Sequence, residues 1–255
     1  MEPARVAEFK QEAEPIAIIG MAGRFPGCEN LDDLWRHLAA GDDLVREVPV
    51  DRWSVADHFS PDRQRLGKTY SKWGALLDGI DIFDPEFFHL TPREATSMDP
   101  QQRILLEVAW ETLENAGYAG PRIRGSNTGV FVGGMGSEYL ANIVAVPERI
   151  DAHAGTGNVL SILANRLSFL FDLQGPCLAL DTAWSSSLVA VHLAVQSLRR
   201  GECEQALVGG SQVGLTLSHY LLLSRLGALS PRGDLERSAE TRTAMCWAKE
   251  RACSC

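Results

Sequence analysis

The sequence has no excess of basic residues and no long apolar run. Its 24 lysines and arginines are outnumbered by 33 aspartates and glutamates, which gives a formal net charge of −9 at pH 7. Binding to nucleic acid needs clustered cations that neutralise phosphates, so this balance argues against a nucleic-acid partner. No stretch approaches the ~18 consecutive apolar residues of a membrane span, and the polar start, residues 1–11, lacks the apolar segment of a secretory signal. We therefore expect a cytoplasmic protein without a membrane partner.

The sequence also lacks the paired cysteine or histidine spacing of a metal site. The six cysteines are scattered, and a cytosolic protein of this size would keep them reduced. The six histidines show neither metal-ligand nor catalytic-triad spacing. We therefore expect no bound metal. The residues concerned are Cys28, Cys177, Cys203, Cys246, Cys253 and Cys255, and His37, His58, His89, His153, His192 and His219.

The chain has enough apolar residues, 45% of its 255, to bury a sizeable core, and their periodicity predicts an α/β fold. Short apolar runs alternate with helical patterns, which implies right-handed crossovers and a largely parallel sheet covered on both faces. The segment 42–92 reads as loops and short elements. Strands are predicted at 16–19, 128–132, 178–180 and 206–208, and helices at 31–40, 100–117, 159–171 and 187–198.

The helix predicted at 187–198 carries large apolar residues on one face. Leu188, Val191, Val195 and Leu198 recur at helical spacing, and His192 lies among them. We expect this face to pack on the core and His192 to be a buried, packed histidine.

A strand that turns directly into this helix is the most informative feature of the chain. Helix N-termini present unpaired N–H groups that stabilise a thiolate or an oxyanion, and many enzymes place a nucleophile at such a corner. Here the tip residue is Trp184, which has no useful nucleophilicity near neutral pH. On residue type alone it would fill an apolar pocket. Ser185, Ser186 and Ser187 are expected to cap the helix rather than to act as nucleophiles.

The corner resembles the ketosynthase domain of modular type I polyketide synthases, whose pattern reads Asp-Thr-Ala-Cys-Ser-Ser-Ser-Leu. In this sequence the same pattern, residues 181–188, has Trp184 in place of the cysteine. Four further family signatures follow one another in the order of the family. They are the segment 15–27, Val48-Pro49 with Asp51-Arg52-Trp53, Met98-Asp99-Pro100-Gln101-Gln102-Arg103, and Gly157-Asn158 with Ala164-Asn165-Arg166.

The resemblance implies the first half of a thiolase-like fold, an αβαβα layered arrangement of two similar halves. It spans residues 14–234, with an N-terminal linker or docking-helix remnant at 1–13 and an out-of-family tail at 235–255. It implies β-ketoacyl synthase activity without a cofactor of its own, acting on acyl groups that the phosphopantetheine of acyl carrier protein domains holds, in a homodimer.

The resemblance also implies that this chain as written is inactive. Trp184 would occupy the position of the acyl-accepting cysteine and stand in the pantetheine or acyl tunnel. The family's two catalytic histidines, an associated lysine and a glycine-rich loop all lie C-terminal to residue 255. The resemblance assigns no substrate-binding residues here.

Three alternatives to an active ketosynthase stay open. The chain could be a non-catalytic module for dimerisation or carrier docking, a pseudogene product, or, remotely, an acyl hydrolase that uses Ser185. Two glycine segments, 133–136 and 209–213, are incomplete versions of a dinucleotide fingerprint and of a nucleophile elbow, so each is a weak signal.

The tail fits the family poorly in the frame as written. GC-rich codons for residues 241–255, read one base earlier, permit Asp-Ala-Asp-Gly-Tyr-Val-Leu-Gly-Glu-Gly-Ala-Gly-Met-Leu-Val, which resembles the family's next segment. The single codons of Met245 and Trp247 anchor that reading. Cys253 and Cys255 would then be a product of the shifted frame and not a metal pair.

We expect the encoding DNA to carry one inserted or deleted base between about codons 232 and 241. Sequencing across codons 232–255 tests this, and codon 184 should be read in the same experiment, because tryptophan and cysteine codons differ by one base. If no other frame continues the ketosynthase pattern, the tail is genuine and the hypothesis is wrong.

Overall fold

The computed structural model describes residues 15–233 and the backbone of Arg242–Lys249. Seven strands and nine α-helices lie within these residues, together with a 3-10 turn at Pro147–Arg149. The strands are β1 (Ala17–Arg24), β2 (Arg46–Glu47), β3 (Trp73–Gly74), β4 (Thr128–Gly134), β5 (Cys177–Leu180), β6 (Gln205–Gln212) and β7 (Arg242–Lys249). The helices are α1 (Leu31–Ala40), α2 (Val55–His58), α3 (Pro92–Ser97), α4 (Pro100–Asn115), α5 (Tyr139–Val144), α6 (Ala152–Thr156), α7 (Leu160–Phe171), α8 (Ser186–Arg199) and α9 (Leu217–Leu226).

The main sheet has the order β1-β7-β6-β4-β5. Strands β4, β5 and β6 are mutually parallel, as the alternation of strands and helices predicts. Strand β7 runs antiparallel between β1 and β6, so the sheet is mixed. The α/β architecture of the prediction is confirmed.

Helices cover both faces of the parallel part of the sheet. Helices α4 and α7 pack on one face and form the largest apolar cluster with the strands, while α8 packs on the opposite face of β4 and β6. Because β4 is flanked on both sides and covered on both faces, all seven of its residues are buried.

Two predicted helices are confirmed with their end signals. Asp99 accepts a hydrogen bond from the Gln101 N–H at the start of α4, and Pro100 holds the first helical position. Helix α1 ends at Gly41, whose φ of 72° lies in the left-handed region that glycine tolerates.

The predicted ends of two strands differ from the structure. Strand β1 continues through Gly20 to Arg24. A Cβ on Gly20 would lie 2.6 Å from the Thr112 carbonyl oxygen. This glycine therefore allows the close approach of α4 and does not end the strand. Strand β6 is longer than the predicted 206–208. The predicted end of α7 at residue 171 is confirmed, and Asp172 directly after it adopts the left-handed conformation.

The predicted linker at 1–13 lies outside the described residues. Of the predicted tail at 235–255, only the backbone of β7 is described, and it occupies the middle of the main sheet. Ladder hydrogen bonds join backbone groups whatever the side chains are, so the strand does not decide between the two reading frames. The frameshift stays a prediction.

The segment 42–92 forms the expected short elements and a small apolar cluster of its own. Trp53 and Tyr70 from this segment pack with Tyr220 of α9, and the Trp53 and Tyr220 ring centroids are 5.0 Å apart. The Thr69 and Ser224 hydroxyls lie 2.8 Å apart in the same buried contact. The segment therefore anchors α9 to the body of the protein. No helix within the described residues has the length and hydropathy that a bilayer crossing requires.

We expect Gly20→Ala to lower the free energy of unfolding by about 2 kcal/mol, because the new methyl group would overlap the backbone of α4. Urea denaturation measures this change. Gly136→Ala is the matched control, since a Cβ there would meet nothing within 4 Å. Equal midpoints for the two variants would contradict the role given to Gly20.

Candidate functional site

The strand–helix corner forms where the sequence predicts it. Strand β5 ends at Leu180 and α8 begins at Ser186. The five residues between them, 181–185, form the turn. Ala183 has a φ of 56°, a left-handed conformation that costs a non-glycine residue energy and that neighbouring bonds must hold in place. The corner lies at the carboxyl end of the parallel strands, where α/β proteins commonly bind ligands.

Ser186 holds this turn closed. Its hydroxyl donates to the Ala183 carbonyl at 2.6 Å and accepts from the Thr182 N–H at 2.9 Å. The Asp181 carboxylate accepts from the Ala183 N–H at 2.8 Å. Three hydrogen bonds therefore secure the strained residue next to position 184.

The serines do not cap α8 as predicted. Ser185 occupies the N-cap position, but its hydroxyl donates to the Thr182 carbonyl behind it and caps no helical N–H. Ser186 likewise binds back to the turn. Serine hydroxyls can bond to nearby backbone groups of a turn instead of to helical N–H groups, and Ser185 and Ser186 do so here.

Trp184 stands at the tip of the corner and is 75% exposed. It therefore fills no pocket within the described residues, and the pocket-filling role expected from residue type alone is wrong. The corner presents residue 184 to whatever approaches this edge of the sheet. Its occupation of a pantetheine or acyl tunnel stays a prediction.

Glycines in β4 and β6 form the floor beneath the corner. A Cβ on Gly133 would lie 2.5 Å from the carbonyl carbon of Ser186, and one on Gly210 would lie 2.7 Å from the Cβ of Ser187. The two glycine segments, 133–136 and 209–213, which resemble incomplete functional motifs in the sequence, thus allow the start of α8 to pack against the sheet. Periodicity could not show this, because the contact joins segments far apart in the chain.

The predicted buried face of α8 is confirmed for Leu198, but Leu188, Val191 and His192 of that face are exposed. The buried residues of α8 are mostly small, and they are Ser186, Ala190, Ala194, Ser197 and Leu198. Leu188 is 74% exposed, Val191 is exposed, and His192 is exposed and not a packed core histidine. The glycine floor explains this difference, since only a face of small side chains can approach a strand surface that lacks Cβ atoms.

A glutamate that the sequence did not single out joins two loops at the same sheet edge. One carboxylate oxygen of Glu138, after β4, accepts from the Leu215 and Thr216 N–H groups at 3.1 and 2.8 Å and from the Thr216 hydroxyl at 2.8 Å. Its second oxygen lies 3.5 Å from Nδ1 of His219. The negative charge of the Glu138 carboxylate thereby lies at the N-terminus of α9, where the partial positive charge of the helix dipole stabilises it.

The signature motifs of the resemblance meet in one buried polar network. Arg166 donates to Gln102 at 2.8 Å and to Glu94 at 2.6 Å, which links α7, α4 and α3. Asn158 donates to the Ser97 and Ala154 carbonyls. These residues hold the scaffold together and do not reach the corner chemistry.

Asp99 is the most unusual titratable group in this network. Burial raises the pKa of its carboxyl group above the usual range, although hydrogen bonds from Ser137 and Gln101 oppose the shift. It lines a narrow cavity with Met135, Asn158 and Leu163. Asp99 is buried because it caps the start of α4, and this burial accounts for the raised pKa.

No cysteine of the described residues has the features of an activated nucleophile. Burial raises the pKa of the Cys28 and Cys177 thiols, whereas an activated cysteine needs a lowered one. Cys203 is buried. Within the described residues no three His, Cys, Asp or Glu side chains form a group that could hold a metal ion.

A sequence profile described as "Beta-ketoacyl synthase, N-terminal domain" matches residues 13–249. Among curated relatives, polyketide synthase PksL of Bacillus subtilis is 46% identical over 234 residues, which are 89% of this chain and 5% of PksL. The pikromycin synthase component PikAII of Streptomyces venezuelae is 43% identical over 248 residues, 96% of this chain and 7% of the relative. The chain thus spans a small part of these relatives.

Solved structures show the same fold. The oxazolomycin ketosynthase domain OzmH KS7 of Streptomyces albus matches with a TM-score of 0.83 and 38% identity, over 92% of this chain and 42% of that one. The ketosynthase from module 6 of the Bacillus subtilis bacillaene synthase matches with a TM-score of 0.81 and 34% identity. The match covers 92% of this chain and 40% of that one. These neighbours confirm the thiolase-like assignment, and the chain spans less than half of each.

We expect Ser186→Ala to lower the free energy of unfolding by about 1 kcal/mol, because it removes two part-buried hydrogen bonds that close the turn. Chemical denaturation measures the change. Ser187→Ala is the control, since it keeps the Cβ that rests on Gly210 and removes only an exposed hydroxyl. A larger loss in the control than in Ser186→Ala would refute this account of the turn.

Proposed function

This chain belongs to the β-ketoacyl synthase family of polyketide synthases, and from that premise we propose that its corner is the acyl-transfer site of a polyketide chain-elongation reaction. In that reaction a nucleophile at position 184 attacks the carbonyl carbon of an acyl thioester, and the phosphopantetheine thiolate leaves. The acyl group is then joined to a malonyl-type extender, which loses carbon dioxide as the new carbon–carbon bond forms.

The geometry of the corner is the observation that supports this proposal. Residue 184 is exposed at the tip of a turn held by three hydrogen bonds, immediately before the N-terminus of a 14-residue helix. The N–H groups of that terminus would stabilise a thiolate at 184 and the negative charge of the attacked thioester oxygen.

We propose that the chain as written carries out no condensation, and this rests on Trp184. An indole cannot form the acyl intermediate at neutral pH. Loss of a catalytic nucleophile removes several orders of magnitude in rate. The nearby Ser185 hydroxyl is engaged with Thr182 and has no general base beside it within the described residues, so it offers no replacement.

The proposed partners are acyl carrier protein domains and a second copy of the chain. The family acts on carrier-bound acyl groups, so a carrier domain must reach the corner. A second, non-catalytic role in dimerisation or carrier docking is favoured by one observation, the exposed apolar side of α8 next to Trp184. Soluble proteins seldom leave such a helix face uncovered.

We expect Trp184→Cys to restore acyl transfer to position 184 without restoring condensation. Incubation with an acyl-pantetheine thioester, followed by intact-mass and peptide mass spectrometry, should show one acyl group on residue 184. The unchanged chain is the control for the six native cysteines, and Trp184→Ser controls for removal of the indole.

Two results would overturn the proposal. Acylation of the unchanged chain, with carbon–carbon bond formation after it, would show that Trp184 does not block the reaction. Acylation of Trp184→Cys no faster than that of the native thiols would show that the corner does not activate residue 184.

A further inference from the structure

The turn that carries residue 184 leaves the sheet beside two other loops. Gly133 of β4 pairs with Leu180, the last residue of β5, on one side and with Gly210 of β6 on the other. Strand β4 therefore lies between β5 and β6, and the three strands end nearly level. The loop after β5 is the turn of the corner. The loops after β4 and β6 leave the same edge of the sheet next to it.

Packing at this edge connects the loop after β4 to the corner. A Cβ on Gly133 would lie 2.5 Å from the carbonyl carbon of Ser186, a residue two positions after Trp184. Glu138 follows the end of β4 at Gly134 by four positions, which limits their Cα–Cα distance to about 14 Å. The Glu138 backbone is thus tied closely to the strand on which the corner rests.

Glu138 joins the loop after β4 to the loop after β6. One of its carboxylate oxygens accepts all three hydrogen bonds described above, from the N–H groups of Leu215 and Thr216 and from the Thr216 hydroxyl. The Glu138 side chain is only 16% exposed. Hydrogen bonds to a carboxylate that is largely withdrawn from water are strong, because water competes poorly for the donors. This single side chain therefore grips the loop after β6 at two consecutive residues.

The loop after β4 is itself anchored to the scaffold. The Ser137 hydroxyl donates to Oδ1 of Asn158 at 2.8 Å and accepts from the Leu140 N–H at 3.1 Å. Asn158 belongs to the buried polar network that joins the helices. Glu138, next to Ser137, thus extends a fixed part of the scaffold to the loop after β6.

We propose that Glu138 is a positioning residue of the acyl-transfer site. By holding residues 215–216 against the loop after β4, it fixes two walls beside the turn that presents residue 184. Walls that are already ordered lose little conformational entropy when a pantetheine thioester binds between them and the corner. Glu138 does not touch the reacting atoms. The inference rests on the proposed function, because it takes the thioester to reach residue 184 along this edge.

The test uses the full 255-residue chain with Trp184→Cys. An iodoacetamide derivative of pantetheine alkylates the introduced thiol: a sulfur–carbon bond forms, iodide leaves and the thiol proton passes to the buffer. Intact-mass spectrometry gives the rate at each reagent concentration, and peptide mass spectrometry assigns the product to residue 184. The rate should saturate, because the walls hold the reagent before it reacts. A rate that stays proportional to concentration would refute the proposal.

Removal of the carboxylate should weaken binding of the pantetheine reagent and leave the thiol itself unchanged. We expect Glu138→Ala to raise the half-saturation concentration about fivefold or more, because binding must then order the loosened walls. Alkylation by iodoacetamide, which is too small to need both walls, should change less than about twofold. Glu138→Gln keeps the shape and one accepting oxygen, so its effect should be smaller.

Two further variants control for other effects of the substitution. Glu148→Ala removes an exposed glutamate from the segment that follows the same loop, and it should change each rate less than about twofold. Thr216→Val removes one donor from the opposite loop and should raise the half-saturation concentration about twofold. It tests the same contact if Glu138→Ala does not fold, which circular dichroism checks. In the Glu138→Ala background it should add nothing, because its partner is already absent.

The remaining outcomes separate this proposal from a purely structural role and from the proposed function. An unchanged half-saturation concentration in the folded variants would show that Glu138 serves stability alone. An equal loss of iodoacetamide reactivity would show that the substitution disturbs the corner itself. Either result overturns the proposal. If an acyl-pantetheine thioester fails to acylate Trp184→Cys while the half-saturation concentration still depends on Glu138, the chemistry is wrong and the positioning role stands. Acylation without that dependence would retain the chemistry and reject the role.

Discussion

The close approach of two glycine-bearing strands to the start of α8 is the contact on which the corner depends. Gly133 leaves room for the Ser186 backbone, and Gly210 leaves room for the side chain of Ser187. Because the start of α8 packs directly against these strands, Ser186 can bond to the preceding turn and hold Ala183 in a left-handed conformation. The exposed position of Trp184 follows from that turn, so it depends on the absence of Cβ atoms in two strands far away in the sequence.

The same contact explains why α8 turns its larger side chains outward. Helices usually bury their most apolar face, because that removes the most apolar area from water. Where α8 begins, the glycines of β4 and β6 bring the strand surface close, and Ser186, Ala190 and Ala194 face it, whereas Leu198 is buried at the far end of the helix. The large residues then remain available for a contact outside the described residues, next to Trp184. Steric fit outweighs local amphipathicity at this site.

Scaffold and chemistry are separated in this fold. Arg166 and Asn158 use their polar groups to join helices α3, α4, α6 and α7, and Glu138 joins the loops that leave β4 and β6. None of these side chains is placed to attack an acyl group. Their hydrogen bonds keep the carboxyl edge of the sheet in one arrangement, which is what a transfer site and a carrier-docking surface both require.

The sequence alone determined the helices whose end signals are local, such as Asp99 and Pro100 at α4 and Gly41 after α1, because a cap needs only neighbouring residues. It also determined the parallel core strands and, through its motifs, the family. Only the tertiary structure decided which face of α8 is buried, that Trp184 is exposed, and that Arg225 fastens an arginine-bearing loop to α9. Those outcomes depend on contacts between segments far apart in the chain, which neither periodicity nor spacing encodes.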